Sequence, residues 1–99
     1  MAVKLIAIYR KPADEAAFNH HYETIHTPLV QKIPGLQALT VNRVQKHLFG
    51  EDKPYMIVEM TYADQSAFDA AMASDENRAT GKDVMQFAKG LVSLVVVDF

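Results

Sequence analysis

The sequence predicts an α+β fold: a four-stranded antiparallel sheet with its helices on one face, in the order βαββαβ. Three observations carry the prediction. Four runs of strand-forming residues are separated by two longer helical patterns. The middle two runs are joined by a turn too short to hold a helix. The last run is apolar on both of the faces it would present.

Residues 2–9, A-V-K-L-I-A-I-Y, are rich in strand formers and stop at the turn R-K-P-A-D. From Ala13 the pattern turns helical, with Asp14 and Glu15 placed for the positive N-terminal end. Pro28 is expected to strain or kink this helix near Thr24, the residue its ring would meet. Lys32-Ile33-Pro34-Gly35 ends it with a Pro-Gly turn. Residues 36–48 alternate as strand two, Gly50 to Pro54 form a turn, and residues 55–62 make strand three, an antiparallel hairpin. Asp64 reads as the N-cap of a helix whose stripe is Ala67, Phe68, Ala71 and Met72. Ser74 or Asp75 caps a further helical segment running to Lys89, loosened at Gly81. Gly90 then terminates it before strand four, L-V-S-L-V-V-V-D-F.

This order is the split arrangement of ferredoxin-like folds, in which both helices cover one face of the sheet and leave the other open. In strand four Leu91, Val95, Val97 and Phe99 point one way and Val92, Leu94 and Val96 the other. In strand one Val3, Leu5 and Ala7 oppose Ile6 and Ile8. A sheet apolar on both faces needs a second cover. The expected partner is a second copy of the chain, giving a homodimer through the open sheet face. Glu59 falls on that face with Tyr55 and Ile57, where an unpaired carboxylate is costly, and Arg43 is its expected partner.

Residues 1–99 make one domain, long enough for a modest core. A net charge of −2 offers no basic field for a nucleic acid or an anionic membrane, so neither is expected as a partner. The absence of cysteine excludes a disulfide framework, a thiolate nucleophile and Cys-ligated metal. No apolar run approaches the ~20 residues of a membrane span. The N-terminal apolar run is too short for a signal-peptide core, and the expected location is cytoplasmic. Gly81-Lys82 is no phosphate loop, because Asp83 stands where the hydroxyl residue is required. Neither a G-x-G-x-x-G fingerprint nor a G-x-S-x-G elbow occurs, and no cofactor is expected.

Chemistry concentrates in N-H-H-Y-E-T-I-H-T-P-L, Asn19 to Leu29, which holds three of the four histidines. At about 100° per residue, Ala17, Phe18, His21, Ile25 and Leu29 share the core-facing arc of a regular helix. Tyr22 and His26 then lie at its edge, and His20 points to water. A zinc pair on one helix wants histidines at i and i+4. His21 and His26 are five apart, about 140° around a regular helix, so no metal site is expected. His21 is either a hydrogen-bonded core histidine or an acid–base group in a helix–sheet cleft. Tyr22 and His26 are either amphipathic edge residues or substrate-orienting ones. Arg43 either meets an anionic substrate or lays its stem along apolar surface.

The stretch F-N-H-H-Y-E-T-I-H-T-P-L-V-Q-K-I-P-G-L, Phe18 to Leu36, resembles the signature of the EthD family, small proteins named for ethyl tert-butyl ether degradation. It follows the pattern of a Phe, then His-Tyr, then His-x-Pro-Leu, then Pro-Gly-Leu. The resemblance implies a place among the dimeric α/β-barrel proteins, a group that includes cofactor-free monooxygenases, lactone isomerases and polyketide cyclases. It also implies a ligand cleft between helix and sheet. The candidate catalytic residues are then His21, Tyr22 and His26, and the candidate substrate-binding residues Phe18, Ile25 and Arg43. The expected function is oxidoreductase-type chemistry, a cofactor-free oxidation or an isomerisation, on a small apolar or aromatic molecule. The alternative is a non-catalytic module of the same fold that binds a small ligand or serves as an accessory or stress-response protein.

Overall fold

Alternation builds the sheet. In β3 (Pro54–Tyr62), Met56, Val58, Met60 and Tyr62 are buried while the intervening residues are half-buried. The computed structural model describes residues 1–99. Before β3 come β1 (Val3–Arg10), α1 (Glu15–His21), a π-helical segment (Tyr22–His26), α2 (Thr27–Val30) and β2 (Ala38–Arg43). After it come α3 (Gln65–Met72), α4 (Asp75–Phe87) and β4 (Val92–Asp98). The strands form one antiparallel sheet in the order β2-β3-β1-β4. Ala7 sits opposite both Val58 and Leu94, so one face runs Val41, Val58, Ala7, Leu94 across the strands. The helices lie on that face and close the core on Tyr9, Phe18, Tyr22, Met56 and Tyr62.

The helix starts follow cap chemistry. Asp14, Asp64 and Ser74 each accept, through the side chain, the backbone N–H three residues on. Each such cap stabilises its helix by about 1 kcal/mol. Pro34 and Gly35 occupy the middle of a turn closed by Leu36 N–H to Ile33 O. Gly35 has φ 81°, as the second central residue of a type II turn requires. No helix is long and apolar enough to cross a membrane.

Three expectations are corrected. Strand two ends at Arg43 rather than reaching residue 48. Val44 N–H still donates to Tyr55 O, but the facing strand begins at Pro54 and pairing stops there. Leu48 and Phe49 stand at 82% and 96% exposure in the connection that results. Glu59 pairs with Lys4, not Arg43: Lys4 Nζ donates to one carboxylate oxygen at 3.0 Å and Asn42 Nδ2 to the other at 3.0 Å. These two donors hold the Glu59 carboxyl below the usual carboxylate range. Register is the reason, since Thr40 faces Glu59 and puts Arg43 on the helix side.

The third correction concerns the face of the first helix. Its buried residues are Phe18, Tyr22, His26 and Val30, every fourth position. Ala17 and Ile25 are exposed, and His21 and Leu29 are half-buried. On a regular helix a spacing of four drifts around the axis. Here the Tyr22–His26 turn is closed by Thr27 N–H to Tyr22 O, an i→i+5 bond that takes up an extra residue and cancels the drift. Pro28 supplies the cause, having no N–H for the Thr24 carbonyl and a ring that would meet it. The strain expected at Thr24 is taken up by a π turn centred there.

Candidate functional site

The site begins with a carboxylate on the buried face of a helix. In α4, Thr80, Asp83 and Phe87 recur at helical spacing, and Asp83 is only 7% exposed. One oxygen, Oδ1, lies 2.8 Å from His21 Nε2, and Oδ2 lies 2.9 Å from His26 Nδ1. A carboxylate only accepts, so both rings donate N–H to it. That assignment leaves His21 Nδ1 and His26 Nε2 as the ring nitrogens turned away from Asp83. The π turn makes the arrangement possible by bringing side chains five residues apart onto one carboxylate.

The two rings differ in environment. The His26 side chain is 5% exposed and that of His21 28%. Burial pushes the His26 pKa down, and the His21 charge adds to this, while Asp83 pulls it back through its hydrogen bond and charge. Phe87 stacks on His21 with centroids 4.6 Å apart and lies 4.9 Å from the His26 ring. Tyr9 and Tyr22 complete the aromatic wall, 6.0 Å apart edge to face, and burial raises the pKa of both phenols.

A cleft lies on each side of this trio. The inner one, of about 210 Å³, sits between the helices and the sheet and is lined by His26, Leu5, Met60, Phe68, Met72 and Leu94, among others. No Asp, Glu, Lys or Arg lines it. It is somewhat larger than an apolar cavity of about 150 Å³ that holds benzene. It opens along β4, where the helices do not reach and Leu94 and Val96 remain 55% and 52% exposed. The outer cleft, of about 350 Å³, is lined by His21, Phe87, Phe18, Ala17, Asp14 and Pro12, with Ala13 and Leu91.

Of the residues singled out in the sequence, His21 and His26 are brought together, one on each cleft. Phe18 belongs to the core and to the outer cleft. Tyr22 is 2% exposed, packed among Tyr9, Phe18, His26 and Phe87, and lines neither cleft. It stands at the centre of the core-facing stripe rather than at its edge, for the reason given by the π turn. Ile25 is 48% exposed and lines no cavity, because the same turn rotates it outward. Arg43 donates to Asn19 Oδ1 at 2.8 Å and Glu23 Oε1 at 3.3 Å, and lines no cavity either. The sequence reading missed Asp83. Its signal was a carboxylate on the buried stripe of α4, between Thr80 and Phe87. No cluster of three or more His, Cys, Asp or Glu side chains is arranged to converge on a metal ion.

Comparison with known proteins places the chain in a family. The model of the EthD domain matches residues 10–90. An uncharacterized 11.0 kDa protein from the thcB-thcC intergenic region of Rhodococcus erythropolis is 30% identical over 95 residues, covering 96% of this chain and 92% of that protein. The crystal structure of an ethyl tert-butyl ether d (EthD) family protein from Bacillus halodurans is 44% identical, with a TM-score of 0.93 over 100% of this chain and 99% of that one. Two more distant structures share the fold. One is a dimeric ferredoxin-like protein of unknown function from Jannaschia sp. CCS1, 13% identical, with a TM-score of 0.73 over 100% of both chains. The other is SnoaB, a cofactor-independent oxygenase from Streptomyces nogalater, 14% identical, with a TM-score of 0.68 over 99% of this chain and 92% of that one. Matched over most of its length, the chain belongs to the EthD family.

Proposed function

We propose that this protein is a small-molecule enzyme in which His26 exchanges a proton with a neutral, largely apolar ligand held in the inner cleft. One observation carries the reading: a buried imidazole, oriented through Nδ1 by a carboxylate, lines a cleft without charged residues. Burial favours the neutral ring, which is the basic form, and Asp83 stabilises the imidazolium that forms when it accepts a proton. The cleft volume suits a molecule of about one to two rings, larger than benzene. Deprotonation at a hydroxyl or an acidic carbon leaves an anion that either takes its proton back at another position or reacts with oxygen. Isomerisation and cofactor-free oxidation are therefore the two outcomes, and the distant likeness to a cofactor-independent oxygenase agrees with the second.

The same reading includes a homodimer. Ile6, Ile8, Ile57, Val95 and Val97 lie on the face that no helix covers, and a second copy placed there would bury them. The dimeric description of the Jannaschia protein, which shares the fold, supports this. Light scattering on dilute protein is expected to give twice the chain mass, and a monomer would remove the sheet-to-sheet interface.

The enzyme reading is tested with 1-naphthol, a neutral two-ring molecule with one acidic hydroxyl, followed by its fluorescence. Wild type is expected to bind it with an affinity that falls as pH drops and His26 gains its proton. The His26→Gln variant should lose that dependence. An affinity flat across pH 5–8 and equal in both proteins would make the cleft a binding site without acid–base function. Oxygen uptake on two-ring phenols and enolisable ketones, undiminished in His26→Gln, would likewise remove His26 as the base.

A further inference from the structure

His21, Asp83 and His26 run as a chain from one cleft to the other. His26 lines the inner cleft and His21 the outer, and a single carboxylate joins them. With each ring donating N–H to Asp83, further protons can be held only at His26 Nε2 and His21 Nδ1. The walls around the trio are Phe87, Phe18, Tyr9 and Tyr22, and no Lys or Arg lines either cleft. Two imidazolium charges against the one carboxylate that bonds both rings would leave a positive charge with no bonded counter-ion among these aromatic walls. Asp14 in the outer cleft is engaged as the α1 cap, so that charge is costly.

We propose that the two imidazoles hold one excess proton between them, so that a proton accepted by His26 from the inner cleft is matched by one released from His21 into the outer cleft. The proposal rests on the reading of His26 as the base that faces the ligand. The ligand O–H or C–H bond breaks and its electron pair stays on the ligand as an anion. The proton forms the Nε2–H bond of His26. The Nδ1–H bond of His21 breaks, and its proton passes to water in the outer cleft. Asp83 remains a carboxylate with both N–H donors in place, and the trio is electrically neutral before and after. His21 touches nothing in the inner cleft. It acts through Asp83 as a positioning residue, and the inner cleft can stay dry while its proton exchanges with water on the far side.

Other titratable groups face the trio. Tyr9 from β1 and Tyr22 from the π segment stand beside it, and burial keeps both phenols un-ionised through neutral pH. Asp14, which caps α1, shares the outer cleft with His21, and the Arg43 charge acts on Tyr22 while its guanidinium bonds Asn19 and Glu23. The charge of His21 already acts to lower the His26 pKa, in the direction the proposal requires.

The test is an NMR titration of the imidazole rings in the full chain, with His20 and His47 as internal references. In wild type the His21 and His26 curves are expected to be biphasic, because each ring senses the charge of the other. In His21→Gln the His26 ring is expected to titrate in a single step at higher pH, and His26→Gln should do the same to His21. The coupling from the two variants must agree, since an interaction free energy is reciprocal. Simple independent curves in wild type, or a surviving ring whose midpoint stays put or falls, would overturn the proposal. If a variant fails to fold, the shape of the wild-type curves still decides between coupled and independent rings. Failures of the two readings are distinguishable: uncoupled rings with pH-dependent 1-naphthol binding sink only the proton exchange, and coupled rings with no such binding sink only the enzyme.

Discussion

Replacing Asp83 by Asn changes one oxygen to an amide nitrogen and leaves the shape of the site almost untouched. The carboxylate holds His21 at 2.8 Å and His26 at 2.9 Å. Asn can accept from only one ring, and the other keeps a bond to its NH₂ group only as the opposite tautomer, a neutral bond in place of a charge-assisted one. The more buried His26 keeps the oxygen, while the half-buried His21 switches tautomer or turns outward. A hydrogen bond to a charged group contributes about 1.5–3 kcal/mol. The His21 bond lies at the low end because its ring is 28% exposed. The remaining bond to His26 also loses its charge, which brings the total to about 2 kcal/mol. For a domain of this size that corresponds to a fall in Tm of roughly 8–16 °C, at about 4–8 °C per kcal/mol. There is a second consequence. Asp83 is what pulls the His26 pKa upward against burial, so in Asp83→Asn the ring should titrate at still lower pH than in wild type. Thermal unfolding at neutral pH and an imidazole NMR titration measure the two effects. A Tm within about 2 °C of wild type, together with an unmoved His26 midpoint, would mean that the carboxylate does not hold the rings.

Three further perturbations probe the same structure. Because burial lowers the pKa of His26, the unfolded chain binds that proton more readily than the folded one. Stability from this residue should be full above about pH 6.5 and decline as pH falls through the lower folded value, seen as a falling urea midpoint; a rising midpoint would contradict the burial. Burial raises Tyr9, Tyr22 and Tyr62, so their contribution is present below about pH 10 and lost as pH climbs through the folded values. Phenolate absorbance should lag until the chain unfolds, and full ionisation near pH 10 with intact circular dichroism would refute that. Pro28→Ala restores an N–H for the Thr24 carbonyl and a residue about 3 kcal/mol better in a helix interior. Stability should hold or rise while the π turn relaxes and the His26 ring N–H signal is lost, and an unchanged signal would show that Pro28 does not set the turn.

Local chemistry was legible in the sequence, and register was not. Asp14, Asp64 and Ser74 announce helix starts because a short side-chain acceptor followed by a helical pattern has one good use. Met56, Val58, Met60 and Tyr62 announce a half-covered strand by period two alone. The end of strand two was hidden because alternation runs on past Arg43, while the length of its partner decides where pairing stops. The partner of Glu59 was misread for a related cause: which cation lies opposite depends on cross-strand register, and one residue of offset exchanges Asn42 for Arg43. Asp83 was the largest omission. A carboxylate on the buried stripe of a helix signals a buried partner, but only tertiary packing shows that the partner is a pair of histidines more than fifty residues earlier.

The spacing of those histidines points two ways. Five residues, about 140° apart on a regular helix, argue against a common partner. Yet five is also the hydrogen-bond step of a π turn, and a proline two residues beyond the second histidine removes the N–H that a regular turn would use. Taken together, H-x-x-x-x-H-x-P describes a pair that converges because the helix must widen just before the proline. The widening also moves Tyr22 to the centre of the core and turns Ile25 out to solvent, so one backbone irregularity accounts for the gathered site and for the residues that left it. A π turn is rare in isolation, and here two rings bound to one carboxylate and stacked against Phe87 hold it in place. Site and irregularity sustain each other: without the turn Asp83 would reach one histidine, and without Asp83 the turn would lose the contacts that favour it over a regular helix.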